Sequence, residues 1–352
     1  MKYKIIYTGG ATVSTNCDLE INGCVITDLD KYNQFLNHIE LYIDAQRLDD
    51  SKILNADCKN LIESNIMINV FDIHKASTDV YAVKIDNTKS YIDEFIFIDG
   101  NNDMAMKVCE SDPFTCSIYV LDEIEILIKF SKLVTNKITN SLLLFFGFTN
   151  FCNMDIIETD INDDSSVIFT NYIHNSVQST NVQFTERQLF EFIYTLICCI
   201  ANYGFFVADN HSGNIICFQD TTDVIYKIGD DHFYFEDLSS ICIIDYQAKY
   251  KFEKNDNKYD INQLLNAIRS NCKNSNVLTK FTNQLRKGTI DELLNSLKEN
   301  FRQRKLFALE DEMIDAQYKS RLFTTRSDRN SMEQASKSIT DSLNRIKRSD
   351  NL

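Results

Sequence analysis

Apolar and polar positions along the chain follow two different periods, which divide the chain into a β-rich first part and a more helical second part. Short runs dominated by β-branched and aromatic residues predict strands. In the first part these runs lie at 4–7, 66–71, 80–85, 95–98, 142–148 and 167–170. Two more strand-like runs follow at 215–217 and 241–244.

Apolar residues at helical spacing predict one helix over 30–46 and another over 120–134. A polar segment separates the second of these helices from the strand before it. Thr185 is predicted to cap a long apolar helix that continues through Tyr203. Residues 260–297 have a helical pattern. This order of elements predicts an α+β fold.

The stretch 192–208 carries no charge and could suggest a membrane span. It is shorter than the roughly 20 apolar residues that a spanning helix needs, and charged residues flank it on both sides. We therefore interpret it as a buried helix that runs into a strand or loop, and we expect no membrane span.

Charge and cysteine content narrow the class of protein. The formal net charge is −15, which argues against a nucleic-acid partner because an acidic surface repels phosphates. The 11 cysteines are scattered without a C-x-x-C pair, and the first residues contain no apolar leader. We expect reduced thiols in a cytoplasmic protein. A single proline, no tryptophan and abundant Asn, Ile, Asp and Lys indicate an AT-rich coding genome, such as that of some large DNA viruses.

The residues that carry candidate chemistry surround the two late strands. Asp209 and Asn214 are five positions apart, and Asp245 directly follows the strand at 241–244. Phosphoryl transfer in protein kinases uses an aspartate that accepts the proton of the attacking hydroxyl, an asparagine that binds metal, and a second metal-binding aspartate. Each residue alone is an ordinary turn residue, but their order along the chain indicates a phosphotransferase.

On these motifs, residues 60–300 resemble the protein-kinase superfamily. The D-x-H-x-G-N form of the loop at 209–214 is similar to loops of aminoglycoside and choline kinases, and of divergent kinases of poxviruses and other large DNA viruses. The resemblance implies a two-lobed fold, with a β-rich N-lobe that carries one helix and a helical C-lobe. It implies ATP and Mg²⁺ as cofactors, Asp209 as the catalytic residue, and Asn214 and Asp245 as metal ligands.

The resemblance also assigns three residues to nucleotide binding. The run Y-A-V-K that ends at Lys84 resembles the V-A-I-K strand, so Lys84 would hold the α- and β-phosphates. Glu123 resembles the helix glutamate that pairs with this lysine. Glu125 is the alternative, but two positions on a helix differ by about 200°, so both cannot face one lysine. His211 occupies the place of a lysine near the γ-phosphate in many serine/threonine kinases, and a surface histidine is the other interpretation.

The sequence also departs from the kinase pattern. The glycine-rich loop expected just before Val70 is absent, since 63–70 contains no glycine. Val207 and Ala208 replace the histidine and arginine of the H-R-D triplet. Tyr246 replaces the phenylalanine that follows the metal-binding aspartate. The missing glycines reduce the contacts that backbone N–H groups can make to phosphates, and the missing arginine removes the usual partner of an activation-loop phosphate.

Together, the assignments predict an ATP- and Mg²⁺-dependent phosphotransferase. The preferred interpretation is a divergent serine/threonine protein kinase of viral origin. It would act on a protein substrate, in the host cytoplasm or in the virion. About fifteen residues separate Asp245 from the predicted helix near 260, which favours a small-molecule kinase as an alternative. The missing glycines favour a pseudokinase that serves as a binding scaffold. The predicted regions are an N-terminal extension at 1–50, an N-lobe at 51–172, a C-lobe at 173–324 and a polar, mobile tail at 325–352.

Overall fold

The computed structural model describes the chain in segments between residues 7 and 305. The described segments are 7–9, 19–21, 24–48, 70–76, 80–85, 96–98, 104–109, 116–150, 166–207, 212–219, 224–235, 238–246, 249–251, 275–285 and 289–305. The predictions for 260–274 and for the tail at 325–352 lie outside them.

Within these segments the fold is mixed α+β, as predicted. The helices are α1 (Leu29–Leu48), α2 (Cys116–Thr135), α3 (Glu186–Tyr203), α4 (Ser275–Leu285) and α5 (Ile290–Asn300). The first strands are β1 (Tyr7–Gly9), β2 (Leu19–Ile21), β3 (Cys24–Ile26), β4 (Val70–Lys75), β5 (Val80–Ile85), β6 (Ile96–Ile98), β7 (Met104–Cys109), β8 (Phe145–Asn150) and β9 (Ser166–Asn171). The later strands are β10 (Val177–Gln178), β11 (Phe205–Val207), β12 (Ile215–Gln219), β13 (Val224–Ile228), β14 (Asp231–Tyr234), β15 (Ser239–Ile243) and β16 (Lys249–Lys251).

The largest sheet has five strands in the order β4-β5-β7-β9-β8, and all of its neighbouring strands are antiparallel. Helix α2 lies between β7 and β8 in the chain, so it connects the third strand of the sheet to an edge strand. Strand β7 was not predicted, because the sequence around it was interpreted as a polar linker. It pairs with β5 on one side and with β9 on the other.

Helix α1 packs against α2 and β8. The Tyr32 hydroxyl donates to the carbonyl oxygen of Phe145 at 2.7 Å, and the ring of Phe35 stacks on that of Phe145 with centroids 6.0 Å apart. Near the end of α2, Lys132 forms an ion pair with Glu40 at 2.6 Å. The helix predicted at 30–46 is therefore confirmed, and its apolar face belongs to the same core as the five-stranded sheet.

Helix α3 begins and ends as its sequence dictates. The Thr185 hydroxyl accepts from the Gln188 N–H while the Gln188 side chain accepts from the Thr185 N–H, which confirms the predicted cap. Gly204 then adopts a left-handed φ of 70°, a conformation that glycine reaches without a steric penalty, and β11 follows. Within the described part of the chain, no helix has both the length and the apolar character needed to cross a bilayer.

A buried ion pair fixes α3 to the strands beside it. Arg187 and Glu191 are both fully buried, and the Arg187 Nε lies 2.8 Å from a Glu191 carboxylate oxygen. The same carboxylate accepts from the Tyr226 hydroxyl on β13, from the Ser240 hydroxyl at 2.8 Å and from the Ile241 N–H at 3.1 Å. Burial raises the pKa of Glu191, and these donors oppose the rise. The network attaches β15, which leads to Asp245, to the centre of the core.

Candidate functional site

Lys107 is the centre of the candidate site. It lies on β7, and its ammonium contacts both carboxylate oxygens of Glu123 on α2, at 2.8 Å and 3.0 Å. The same ammonium lies 2.7 Å from an oxygen of Asp245, which follows β15. The Lys107 side chain therefore connects β7 and α2 to the end of β15, which is more than 100 residues later in the chain.

The charges in this cluster are largely shielded from solvent. The side chains of Lys107, Glu123 and Asp245 are 18%, 7% and 26% exposed, respectively. Burial by itself would lower the pKa of Lys107, but Glu123 and then Asp245 outweigh it and hold that pKa above its ordinary value. Burial also raises the pKa of Glu123, against the effect of Lys107. The Lys107 side chain is therefore charged at neutral pH.

Asn214 and Asp245 lie at the same end of β12 and β15, which are neighbouring strands of the three-stranded sheet β10-β12-β15. Strands β12 and β15 are antiparallel, with Ile215 opposite Ile243, and the Ile244 N–H donates to the Asn214 carbonyl oxygen at 2.8 Å. The Asn214 side chain is buried, and its Nδ2 atom has no hydrogen-bond partner. The structure thus brings together the two residues that the resemblance assigns to metal binding.

Asp245 has an unusual backbone conformation. Its φ is 62°, in the left-handed region that few residues other than glycine adopt, although aspartate and asparagine do so more often than most. Such conformations cluster at functional sites, where the surrounding structure compensates for their cost. Directly after it, Tyr246 is fully buried and packs edge-on against Phe130 of α2, with ring centroids 4.9 Å apart.

The structure assigns the sheet lysine to a different strand from the one predicted. Lys84 lies on β5, and the lysine that contacts Glu123 is Lys107 on the next strand. Val80 is opposite Lys107, and Lys84 is four residues further along β5, which corresponds to about 13 Å. The pairing with Glu123 that was predicted for Lys84 is therefore made by Lys107.

The choice between the two glutamates of α2 agrees with the geometry. Glu123 faces the sheet and contacts Lys107, whereas Glu125 forms an ion pair with Lys129 one turn along the same helix. Asp209 and His211 lie outside the described residues, so the structure does not show their distance from Lys107.

An apolar face lies beside Asp245. Ile216 and Phe218 on β12 lie on the same face of the sheet as Cys242 and Ile244. Residues two apart on a strand point the same way, and Ile216 is opposite Cys242. Together with Ile173, which follows β9, and Leu143, they form a small apolar cluster apart from the main core. Ile216 and Ile244 are only half-buried, so this face is partly open.

The oxygen-bearing groups define what the site could hold. Among the described residues, no group of three or more His, Cys, Asp or Glu side chains could hold a metal ion. Asn214 and Asp245 supply an amide oxygen and a carboxylate, which suits Mg²⁺, because Mg²⁺ binds few protein oxygens and completes its shell with water and phosphate. Lys107 supplies a fixed positive charge next to them.

Neither a protein-family model nor a curated protein matches the chain.

Proposed function

We propose that this chain is a kinase-like phosphotransferase that binds ATP with Mg²⁺. The observation that carries the proposal is the cluster of Lys107, Glu123 and Asp245. In protein kinases the phosphate-binding lysine lies on the third strand, pairs with a glutamate of the following helix, and works beside a metal-binding aspartate. Lys107 lies on the third strand of the five-stranded sheet, and Glu123 lies on the helix that follows it.

The order of the elements supports a two-lobed arrangement. The five-stranded sheet with α2 corresponds to the β-rich N-lobe of the proposal, and α3, β12, β15 and the later helices correspond to its C-lobe. Lys107 and Glu123 come from the first lobe and Asp245 from the second, so the cluster marks the cleft between the lobes.

Each polar residue has a role in the proposed site. Lys107 binds the α- and β-phosphates, and Glu123 orients Lys107. Asn214 and Asp245 would hold Mg²⁺, which neutralises charge on the phosphate oxygens when it is bound. Asp209 would accept the proton of the attacking hydroxyl, and His211 would lie near the γ-phosphate.

The apolar face beside Asp245 suits the nucleotide base. Ile216 and Ile244 form a half-buried floor, and on the sheet Ala82 and Ala105 are directly opposite each other on the face that carries Lys107. Small side chains in the sheet leave space for a flat ring. The base would lie between these alanines and the isoleucine floor.

Thermal denaturation with increasing Mg-ATP tests the proposal. A ligand that binds only the native state stabilises it by mass action, by about 2.7 kcal/mol at a concentration 100 times its Kd. We expect stabilisation of the parent protein that grows with Mg-ATP. In Asp245→Asn we expect most of that stabilisation to be lost, because the metal loses its carboxylate ligand.

Asp231→Asn is the matched control for this experiment. Asp231 lies on β14 and pairs with Lys298 at 3.0 Å, away from the Lys107 cluster. Its replacement should leave the ligand-induced stabilisation unchanged. Absence of any stabilisation of the parent protein at millimolar Mg-ATP would exclude nucleotide binding and with it the proposed activity.

The acceptor distinguishes the proposed protein kinase from its alternatives. A serine/threonine kinase should label casein-like or basic proteins, or itself, whereas a small-molecule kinase should ignore proteins and release a phosphorylated metabolite. A feature of the sequence favours the scaffold alternative: the residues that connect β4 to β5 in the chain, 76–79, include no glycine, and glycines are what let a phosphate-binding loop bring its N–H groups close to phosphates. Nucleotide binding without transfer to any acceptor would select the scaffold.

The thiols agree with a cytoplasmic location for such an enzyme. Cys198, Cys199 and Cys242 are buried thiols that form no disulfide. Adjacent free thiols persist where the compartment is reducing, as in the cytoplasm.

A further inference from the structure

The hydroxyl group of Tyr246 closes a ring around Asp245. It donates to the carbonyl oxygen of Ile243 at 2.5 Å and accepts from the N–H of Leu143 at 2.9 Å. Because Ile243 lies three residues before Tyr246, the first bond encloses Ile244 and Asp245 in one short loop. The second bond attaches that loop to the segment before β8.

Tyr246 also connects Asp245 to the helix that carries Glu123. The Tyr246 ring meets Phe130 of that helix edge-on, with ring centroids 4.9 Å apart. Both the hydroxyl and the ring of Tyr246 therefore contact residues outside the short loop.

These bonds account for the conformation of Asp245. A non-glycine residue at a φ of 62° persists only where its surroundings determine the backbone on both sides. Before Asp245, the Ile244 N–H is bonded to Asn214, and after it the Tyr246 ring and hydroxyl are fixed. A phenylalanine at this position would keep the packing but lose the ring closure.

We infer that Tyr246 is a positioning residue whose hydroxyl holds Asp245 in the orientation that binds the metal of the nucleotide complex. This inference rests on the proposed function. The hydroxyl fixes the backbone on either side of Asp245. Its loss should therefore lower the affinity for the metal, in addition to any decrease in the stability of the fold.

Tyr246→Phe tests the inference, because it removes one oxygen atom and keeps the ring. The measurement is a Mg²⁺ titration at a fixed ADP concentration, followed by thermal denaturation, and the quantity compared is the Mg²⁺ concentration at half-maximal stabilisation. We expect this concentration to rise by about three- to tenfold, the change that corresponds to one lost hydrogen bond.

Tyr32→Phe is the matched control. Tyr32 is also fully buried, and its hydroxyl also donates to a backbone carbonyl, that of Phe145, but it lies on α1 away from Asp245. Both variants should lower the melting temperature without ligand, and only Tyr246→Phe should change the Mg²⁺ midpoint. An unchanged midpoint in Tyr246→Phe, or an equal change in both variants, overturns the inference.

Two further results separate the possible failures. If the parent protein is not stabilised by Mg-ADP at all, the proposed function fails and the inference falls with it. If Tyr246→Phe does not fold, amide hydrogen exchange of the parent protein decides: the Leu143 N–H, which donates to the Tyr246 hydroxyl, should be protected as strongly as the N–H groups of α3. Fast exchange of the Leu143 N–H overturns the inference.

Discussion

Replacing Lys107 by methionine should lower phosphoryl transfer by about 10²–10³-fold, the usual loss when one preorganised donor to a developing charge is removed. The same replacement of Lys84 should have little effect. Each lysine is the last residue of an A-x-K run, and Lys107 is the one that contacts Glu123 and Asp245. The measurement is the rate of phosphate transfer to the acceptor found for the parent protein.

The interpretation needs two controls. Lys107→Met leaves the Glu123 carboxylate buried without its partner, which could unfold the protein. The double variant Lys107→Met with Glu123→Gln removes both charges, so it should fold and still be inactive. Asp209→Asn provides the background rate of a contaminating kinase. Equal losses in Lys84→Met and Lys107→Met would contradict the assignment of the site to β7.

Glu191→Ala should lower the free energy of unfolding by about 3–5 kcal/mol, the cost of breaking a buried ion pair by removing one partner. The change leaves the Arg187 guanidinium fully buried and takes the acceptor from the Tyr226 and Ser240 hydroxyls. Denaturant-induced unfolding, monitored by circular dichroism, measures the difference.

Glu186→Ala on the same helix is the comparison. Glu186 pairs with Arg304, but both side chains are about one-third exposed, and such surface pairs contribute at most about 1 kcal/mol. A similar loss of stability in the two variants would show that the buried network of Glu191 has no special importance.

The helices could be predicted from the sequence because their signals are local. The apolar spacing in α1 and α2, and the cap at Thr185, depend on residues within one or two turns of each other. The positions of Asn214 and Asp245 beside each other do not follow from local order, because β13 and β14 separate the paired strands β12 and β15 in the chain.

Strand β7 could not be predicted in the same way. Its sequence, M-A-M-K-V-C, contains few β-branched or aromatic residues, and short runs of methionine, alanine and lysine do not favour strands by themselves. It becomes a strand because β5 and β9 pair with it on both sides, which is a long-range effect. The prediction therefore named Lys84, which lies on a strand with a clear pattern, and did not consider Lys107. The separation from Glu123 along the sequence was a usable signal. Lys107 is only 16 residues before Glu123, and β7 is the strand that directly precedes helix α2.

The packing of α1 has a consequence for synthesis on the ribosome. The partner of Tyr32, Phe145, is 113 positions later in the chain. At about 5–20 residues per second, it is synthesised roughly 6–23 s after Tyr32. During that time the apolar face of α1, with Tyr32, Phe35 and Leu36, has no surface to cover it. The nascent chain therefore presents a binding site for chaperones, and docking of α1 becomes a late, long-range step of folding.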